Sequence, residues 1–276
     1  MYKKYLLVGS EKNIAAMNIL NNFEQFIKGP VATSAKDPPL IDIYITKEEV
    51  LHEEDLDLEK INQYDFIIFP CTHRSEKQEK SLSVHAPGNW RDAKLGGKQN
   101  KVANSSALFQ KALFEKLNEN AIQYELNTKY SITLEVTHHG PLISKPCVFI
   151  EIGSTEEQWK DRRAGFVIAK TIFETINEFK TNPYGEIAIG IGGPHYCPNF
   201  NKLQLSSNVA ISHIIPNYVA PITEEMIKEA IEKTQEEVDF AVLDWKGLGT
   251  SEQRQRVLDL LDKLYISYKR TSEIGK

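Results

Sequence analysis

The sequence is short of cysteine, of long apolar runs and of secretory signals, and each shortage excludes a class of protein. Its three cysteines, Cys71, Cys147 and Cys197, include no CxxC pair, which argues against a disulfide framework and favours reduced thiols. No stretch approaches the roughly 20 consecutive apolar residues that a membrane-spanning helix needs. The apolar segment 5–8 is too short for a signal peptide. The sequence therefore predicts a cytoplasmic protein without membrane spans.

The sequence also lacks low-complexity segments and an excess of positive charge. No block rich in proline, in glycine and serine, or in like charges is long enough to indicate disorder. With 41% hydrophobic residues, the 276-residue chain can bury a sizeable core. We expect one catalytic unit over 1–276, in which inserted segments can form a smaller lobe, without a linker-joined domain. A net charge of −5 argues against indiscriminate nucleic-acid binding, so any contact with RNA must be local.

Hydrophobic periodicity predicts strands alternating with helices. The predicted strands are 5–9, 41–45, 65–69, 132–136, 148–152, 186–191, 209–215 and 240–243, and the predicted helices start near 13, 105, 154, 223 and 251. Strand and helix alternation favours parallel pairing, whereas 130–152 is typical of two strands joined by a turn. Residues 76–103 are expected to form a loop too long for a passive connection. The prediction is an α/β fold with a mixed, mostly parallel sheet flanked by helices.

Histidines cluster at the predicted strand ends. Four of the seven follow directly on a strand: His73, His138, His139 and His195. Ligands of open α/β sheets bind at the carboxyl ends of the strands, and His85 in the long loop can reach the same edge. A single histidine is more often structural than functional. Several at one edge nevertheless predict a shared site.

These residue types suit metal-assisted hydrolysis of an ester. A catalytic zinc has three protein ligands and a water whose pKa falls toward about 7, and neutral imidazoles are common ligands. Two glutamates on neighbouring predicted strands can orient an imidazole or act as a general base. The spacing matches no standard zinc signature, so a structural role stays open for each residue. The predicted metal ligands are His73, His85 and His195, and the predicted catalytic residues are His138, His139, Glu135 and Glu151.

Candidate substrate contacts surround the same edge. The basic loop 91–101 lies beside a tryptophan that can stack on a base, although a solvated loop with a core tryptophan is an equal alternative. An arginine after His73 can contact phosphate, and short turns can offer backbone N–H groups to a phosphate or an oxyanion. The predicted substrate-binding residues are Arg74, Trp90, Lys94, Lys98, Lys101, Ser154, Thr155 and Gly193.

Five sequence blocks together resemble one family. They are Cys-Thr-His-Arg-Ser-Glu (71–76), Ser-Val-His-Ala-Pro-Gly-Asn-Trp (83–90), Glu-Val-Thr-His-His-Gly-Pro (135–141), Glu-Ile-Gly-Ser-Thr-Glu-Glu-Gln-Trp (151–159) and Gly-Gly-Pro-His-Tyr (192–196). In this order they resemble the archaeal and plant D-aminoacyl-tRNA deacylases over roughly residues 5–265. The resemblance implies hydrolysis of the ester between a D-amino acid and the 3′-terminal adenosine of tRNA. It also implies zinc, with two ions per chain, and a core like those of phosphorylases and peptidyl-tRNA hydrolase.

The partner that this resemblance implies is a tRNA carrying a D-amino acid, and we expect the enzyme to be a monomer. Two alternatives stay open from the sequence. One is a zinc-dependent hydrolase of a small ester or amide, and the other is a tRNA- or nucleotide-binding module without catalysis. Metal content separates the binding module from the two enzymes. Competition by deacylated tRNA separates the two enzymes from each other.

Overall fold

The structure, a computed structural model, describes residues 2–28, 38–52, 58–181 and 185–275, and these ranges contain twelve strands and eight α-helices. The strands are β1 (Lys4–Ser10), β2 (Leu40–Thr46), β3 (Phe66–Arg74), β4 (Ser81–His85), β5 (Gly88–Asn89), β6 (Lys101–Val102), β7 (Ser131–Leu134), β8 (Cys147–Ser154), β9 (Glu186–Ile191), β10 (Val209–Ile215), β11 (Phe240–Leu243) and β12 (Tyr268–Arg270). The helices are α1 (Ile14–Lys28), α2 (Leu58–Ile61), α3 (Ala107–Gln123), α4 (Glu156–Trp159), α5 (Arg162–Glu178), α6 (Pro198–Ser206), α7 (Glu224–Glu232) and α8 (Ser251–Lys263).

A six-stranded mixed sheet forms the larger half of the framework, in the order β2-β1-β3-β8-β4-β7. The first four strands of this order run parallel, while β4 is antiparallel to β8 and parallel to β7. Helices α1, α3 and α5 cover one face, where the sheet and helices bury a core rich in phenylalanine. The continuous apolar run of β3 is explained by its central position, buried on both faces.

A second sheet has the order β10-β9-β11-β12, with all strands parallel. Its strands β9, β10 and β11 are almost fully buried, and α3 packs against β10. Residues of β10 and β11 join the core of the first sheet, so one continuous apolar core links the two sheets. A third, short sheet pairs β5 with β6. No helix in the described ranges is long and apolar enough to cross a membrane.

The structure confirms a mixed α/β fold with a mostly parallel central sheet, and it corrects three local predictions. Residues 76–103 are not one loop, because they contain β4, β5 and β6. The strands predicted on either side of the 130–152 turn are not neighbours, since β4 lies between β7 and β8. β4 takes that place with Leu82 and Val84 buried in the core on one face of the sheet.

The third correction concerns the helix predicted to start at a Ser154 capping box. The Ser154 hydroxyl instead donates to the carbonyl of Glu79, and α4 lasts one turn with no side-chain cap at Thr155. A second helix, α5, starts where the Asp161 carboxylate accepts hydrogen bonds from the next turn. The residue that caps the long helix is therefore Asp161 and not Ser154, which lies seven residues earlier.

Candidate active site

Six of the seven histidines lie near one another or near one cavity, and strand alternation explains part of this arrangement. In β3 and β8, Phe69, Cys71 and Phe149 point to the face opposite the main core, and His73 and Glu151 follow on the same face. His85 pairs with Phe149 across the antiparallel β4–β8 ladder and so shares that face. His73, predicted to lie just beyond a strand, is therefore within β3.

The remaining groups come from the segments that follow β7 and β9. The backbone N–H of Val136 donates to the carbonyl of His195 (3.0 Å), and Thr137 N–H donates to Ile214 O (3.1 Å). These bonds attach the segment carrying Glu135, His138 and His139 to the second sheet. His139 has φ of 47°, a left-handed turn that brings its ring within 4.3 Å, centroid to centroid, of the ring of His138.

Three imidazoles form the inner part of the site, which we call the histidine triplet: His85, His138 and His139. Each Nδ1 lies against a backbone carbonyl, of Ala86 (3.2 Å), Val136 (2.8 Å) and Gly140 (2.7 Å) respectively. A carbonyl only accepts hydrogen bonds, so each Nδ1 must carry a proton. Each Nε2 in a neutral ring then presents a lone pair, and one ring nitrogen from each of the three residues lies within 4.8 Å of the others, which makes them a possible ligand set.

Carboxylates face these lone pairs without hydrogen bonds. Nε2 of His138 is 3.4 Å from Glu135, and those of His85 and His139 are 3.7 and 3.8 Å from Glu151. Nε2 of His85 is buried and has no hydrogen-bond partner among the described groups. A lone pair opposite a carboxylate oxygen is repulsive unless a proton or a cation lies between them. The triplet is therefore suited to binding a cation.

A second group surrounds the other side of Glu135. His195 donates through Nε2 to the Glu135 carboxylate (3.0 Å), and Nδ1 of His73 is 3.1 Å from the other oxygen of that carboxylate. Nδ1 of His73 is also 3.5 Å from Glu151. On the far side of its ring, Nε2 of His73 hydrogen-bonds the hydroxyl of Tyr196 at 2.9 Å. Glu135, His73 and His195 also form a possible ligand set.

Burial and mutual charge set the protonation states. Burial and the neighbouring imidazoles lower the pKa of His138 well below its usual value, and burial also lowers the pKa of His139. Burial opposes protonation of His73 and His85, but the carboxylates of Glu135 and Glu151 outweigh it, raising the pKa of His85 and that of His73 to about 11. The imidazoles in turn hold the pKa of both glutamates well below the usual range despite their burial.

Two cavities meet at this cluster. One, of about 520 Å³, is lined by His138, His139 and Glu151 together with Asn13, Glu49 and Leu95. The other, of about 590 Å³, is lined by Thr133, Tyr196 and Asn201 among others. His73, Arg74 and His195 border both cavities. The cluster is thus reachable from two sides.

The structure brings together all seven predicted metal and catalytic residues, but it divides them differently from the prediction. Only His85 of the predicted ligands belongs to the triplet, whose other two members were predicted as catalytic residues. His73 and His195 are grouped with Glu135 instead. The roles of these residues stay predictions, whereas their proximity is a property of the fold.

Four of the predicted substrate contacts lie away from both cavities at the cluster. Trp90 is only 4% exposed and donates its indole N–H to Ile214 O (3.1 Å), so it cannot stack on a base from this position. Ser154 is buried against Glu79, and the Thr155 hydroxyl donates to Gln158 (2.6 Å). Gly193 is buried against Asp244 and Gly247. None of these four lines either cavity at the cluster, because their polar groups and surfaces are used in packing.

The basic residues are placed more favourably. Arg74 is exposed, borders both cavities and lies over the ring of Trp159 at 5.0 Å. Lys94 and Lys98 are exposed on the loop that folds over the first cavity, where Gly140 N–H donates to Leu95 O (2.9 Å). Lys101 already forms an ion pair within the protein, because its Nζ is 2.7 Å from the carboxylate of Glu229.

Asn13, Glu49 and Tyr196 are among the cavity residues that were not predicted from the sequence. Tyr196 immediately follows His195, so its position in the Gly-Gly-Pro-His-Tyr block was the available signal. Asn13 is 3% exposed and donates to Thr72 (3.1 Å), and Glu49 lies within 3.4 Å of the same amide nitrogen. Nothing in the local pattern around Asn13 and Glu49 distinguishes them from a helix cap and a surface acid.

The fold and the cluster define an α/β protein with a histidine- and carboxylate-lined site on one face and edge of its central sheet. A family model described as D-aminoacyl-tRNA deacylase matches residues 60–269. The D-aminoacyl-tRNA deacylases of Thermococcus onnurineus and Methanocaldococcus jannaschii are 34% and 33% identical to the chain. These two alignments cover 95% and 92% of this chain, and 98% and 94% of the relatives. The chain belongs to the D-aminoacyl-tRNA deacylase family.

A solved structure extends the likeness to the whole fold. A crystal structure of a conserved protein of unknown function superimposes with a TM-score of 0.85 at 28% identity, covering 99% of this chain and 96% of the other. The likeness supports the arrangement of both sheets described above.

Proposed function

We propose that this chain hydrolyses the ester bond between a D-amino acid and the 3′-terminal adenosine of tRNA, releasing the free D-amino acid and the free tRNA. Such an activity removes D-amino acids from the translation pool. Family membership over most of the chain supports the substrate. The observation that carries the chemistry is the buried group of five imidazoles and two carboxylates between two cavities.

We also propose that zinc acts in this site, with two ions per chain. The histidine triplet with Glu151 would hold one ion, and His73, His195 and Glu135 would hold the other. The converging Nε2 lone pairs and the unpaired Nε2 of buried His85 fit a cation of this kind. When bound, zinc supplies Lewis acidity and lowers the pKa of a bound water.

The chain's own residues move the protons of ester hydrolysis. Attack by water on the carbonyl carbon requires a proton acceptor, and the leaving 3′-oxygen requires a donor. Glu135 is kept ionised by His195 and His73 and lies between the two histidine groups, so we assign it the proton from water. Through its oxygen that is not a ligand, Glu135 then returns this proton to the leaving 3′-oxygen, while His195, which borders both cavities, would serve as a ligand of the second ion.

The proposal also covers the oligomeric state, the cellular location and the architecture of the core. We propose a monomeric, cytoplasmic enzyme whose core is similar to those of phosphorylases and peptidyl-tRNA hydrolase. A zinc-dependent hydrolase of a small ester or amide is the less favoured alternative, since the relatives named above are aminoacyl-tRNA deacylases. A binding module without catalysis does not explain a buried cluster of this composition.

The test measures deacylation of matched D- and L-tyrosyl-tRNA by the purified chain, with and without a zinc chelator. We expect rapid release of the D-amino acid, slow release of the L-isomer and loss of activity on chelation. Equal rates on both isomers would refute the substrate assignment. Full activity after verified removal of zinc would refute the metal assignment alone.

A further inference from the structure

An exposed aromatic residue stands beside the candidate active site. Tyr218 is 58% exposed, on the turn 217–219 that directly follows β10. The backbone N–H of Asn217 donates to Gly193 O (3.1 Å), so this turn is attached to the loop that carries His195. Burial of the hydroxyl end, with a smaller contribution from the negative charge of Glu135, raises the pKa of Tyr218 to about 12, although much of the side chain is exposed.

A third cavity opens on the other side of the same turn. It has a volume of about 490 Å³ and is lined by Asn217, Ala220, Pro221, Leu248 and Arg256, among others. Such a volume lies within the roughly 300–1,000 Å³ of small-molecule sites. The cavity lies at the carboxyl ends of β10 and β11, where parallel sheets bind ligands. Nothing in the proposed chemistry uses it.

The charges around this cavity suit a polyanion. Arg256 and Lys246 are exposed, and neither forms an ion pair with a residue in the described ranges. Arg91 donates to the carbonyls of Val219 (3.0 Å) and Pro221 (2.6 Å), which attaches the loop containing Lys94 and Lys98 to this side of the molecule. Within the cavity lining Glu252 offsets Arg256, so the further cations available to a phosphate are Lys246, just beyond the lining, and Arg91, beside Pro221.

We propose that the unpaired 3′ end of the tRNA binds here, with one base stacked on Tyr218 and the preceding nucleotide in the cavity lined by Arg256. The inference rests on the proposed function, which makes tRNA the substrate. Single-stranded nucleic acid is bound by aromatic stacking beside positive charge, and Tyr218 offers the exposed ring that buried Trp90 does not. The terminal nucleotide would then continue past the turn to the cluster at Glu135 and His195.

The experiment compares Tyr218→Ala and Arg256→Ala with the native chain in binding deacylated tRNA, intact or lacking its last three nucleotides. Tyr265→Ala is the matched control, because Tyr265 is 94% exposed and lines a different pocket. We expect Tyr218→Ala to raise the Kd for intact tRNA roughly tenfold, the effect of losing one base stack of about 1.4 kcal/mol. Tyr218→Phe should bind like the native chain, since stacking needs the ring only.

The truncated tRNA provides the decisive comparison. The native chain should bind it more weakly than intact tRNA, and Tyr218→Ala should reduce that difference by the roughly tenfold that the lost stack supplies. Equal binding of the two tRNAs by the native chain would overturn the proposal, as would a Tyr218→Ala variant that matches Tyr265→Ala. Native activity on D-tyrosyl-tRNA is measured in parallel, so an inactive native enzyme counts against the proposed function and an unaffected active variant counts against this inference.

Discussion

Replacing His139 separates the catalytic from the structural interpretation of the cluster. Its ring is one of the three imidazoles proposed to hold the cation with Glu151, so His139→Ala removes one ligand and leaves two imidazoles and the carboxylate. Loss of a group of this kind costs on the order of 100-fold or more in rate, about 2.7 kcal/mol of transition-state stabilisation. We expect kcat/KM for D-tyrosyl-tRNA to fall by at least that factor and bound zinc to fall with it.

The same substitution also affects stability, and the structure gives the size. His139→Ala loses the hydrogen bond from Nδ1 to Gly140 O, about 1 kcal/mol, and leaves space beside Phe149 and His85. The unfolding free energy should therefore fall by about 2–3 kcal/mol. His139→Asn is the better variant, because asparagine tolerates the left-handed backbone at this position.

The control must be a histidine away from the cluster. His52 is exposed but lines the mouth of the first cavity, so it is not neutral. His213 is fully buried in β10, where it hydrogen-bonds Thr137 at 3.2 Å and lines neither cavity at the cluster. His213→Asn should lower stability and leave kcat near the native value. If His139→Asn keeps native turnover and native zinc content, the cluster is structural and the reasoning fails.

Three other predictions follow from the surface, the core and the metal. The double substitution Lys94→Ala and Lys98→Ala should reduce the slope of log Kd for tRNA against log salt concentration by roughly 1 for each lost phosphate contact. Binding titrations at several salt concentrations measure this slope. An unchanged slope would show that the loop does not contact tRNA. Burial lowers the pKa of His213 to about 4 from its usual 6.5, so between these pH values the residue is protonated in the unfolded chain and neutral in the folded chain. Stability should drop by about 3 kcal/mol as pH falls from 6.5 to 4, and denaturant titrations should show that His213→Gln lacks this component. Removing zinc should lower Tm and activity together, and added zinc should restore both. The reason is that an ion that binds only the folded state adds about 2.7 kcal/mol to the unfolding free energy at 100 times its Kd. A Tm unchanged by chelation would count against a bound ion.

Part of the candidate site could be predicted because local sequence places residues relative to strands. The apolar runs at β1, β3, β9 and β10 predicted buried strands, and the histidines beside their ends predicted a shared edge. The grouping of the histidines could not be predicted from the sequence, because it depends on pairing between strands that lie far apart in the chain. His85 joins His138 and His139 only because β4 inserts between β7 and β8, parallel to β7 and antiparallel to β8.

The solvent exposure of the aromatic side chains also could not be predicted from the local sequence pattern. A tryptophan beside a basic loop predicted a stacking residue, but the ring of Trp90 is buried against β10, whereas Tyr218 is an exposed aromatic on the turn after β10. Tyr218 reaches the site through a turn that follows a strand of the second sheet, which no nearby motif indicates.

The sequence by itself determined the α/β class, most of the strands and the residue types of the site, because hydrophobic period and strand-end chemistry are local properties. Only the tertiary structure decided which imidazoles share a centre, which hydroxyls are used in packing and which aromatic is exposed. Those features depend on strand order and side-chain burial, and both arise from contacts between segments far apart in the chain.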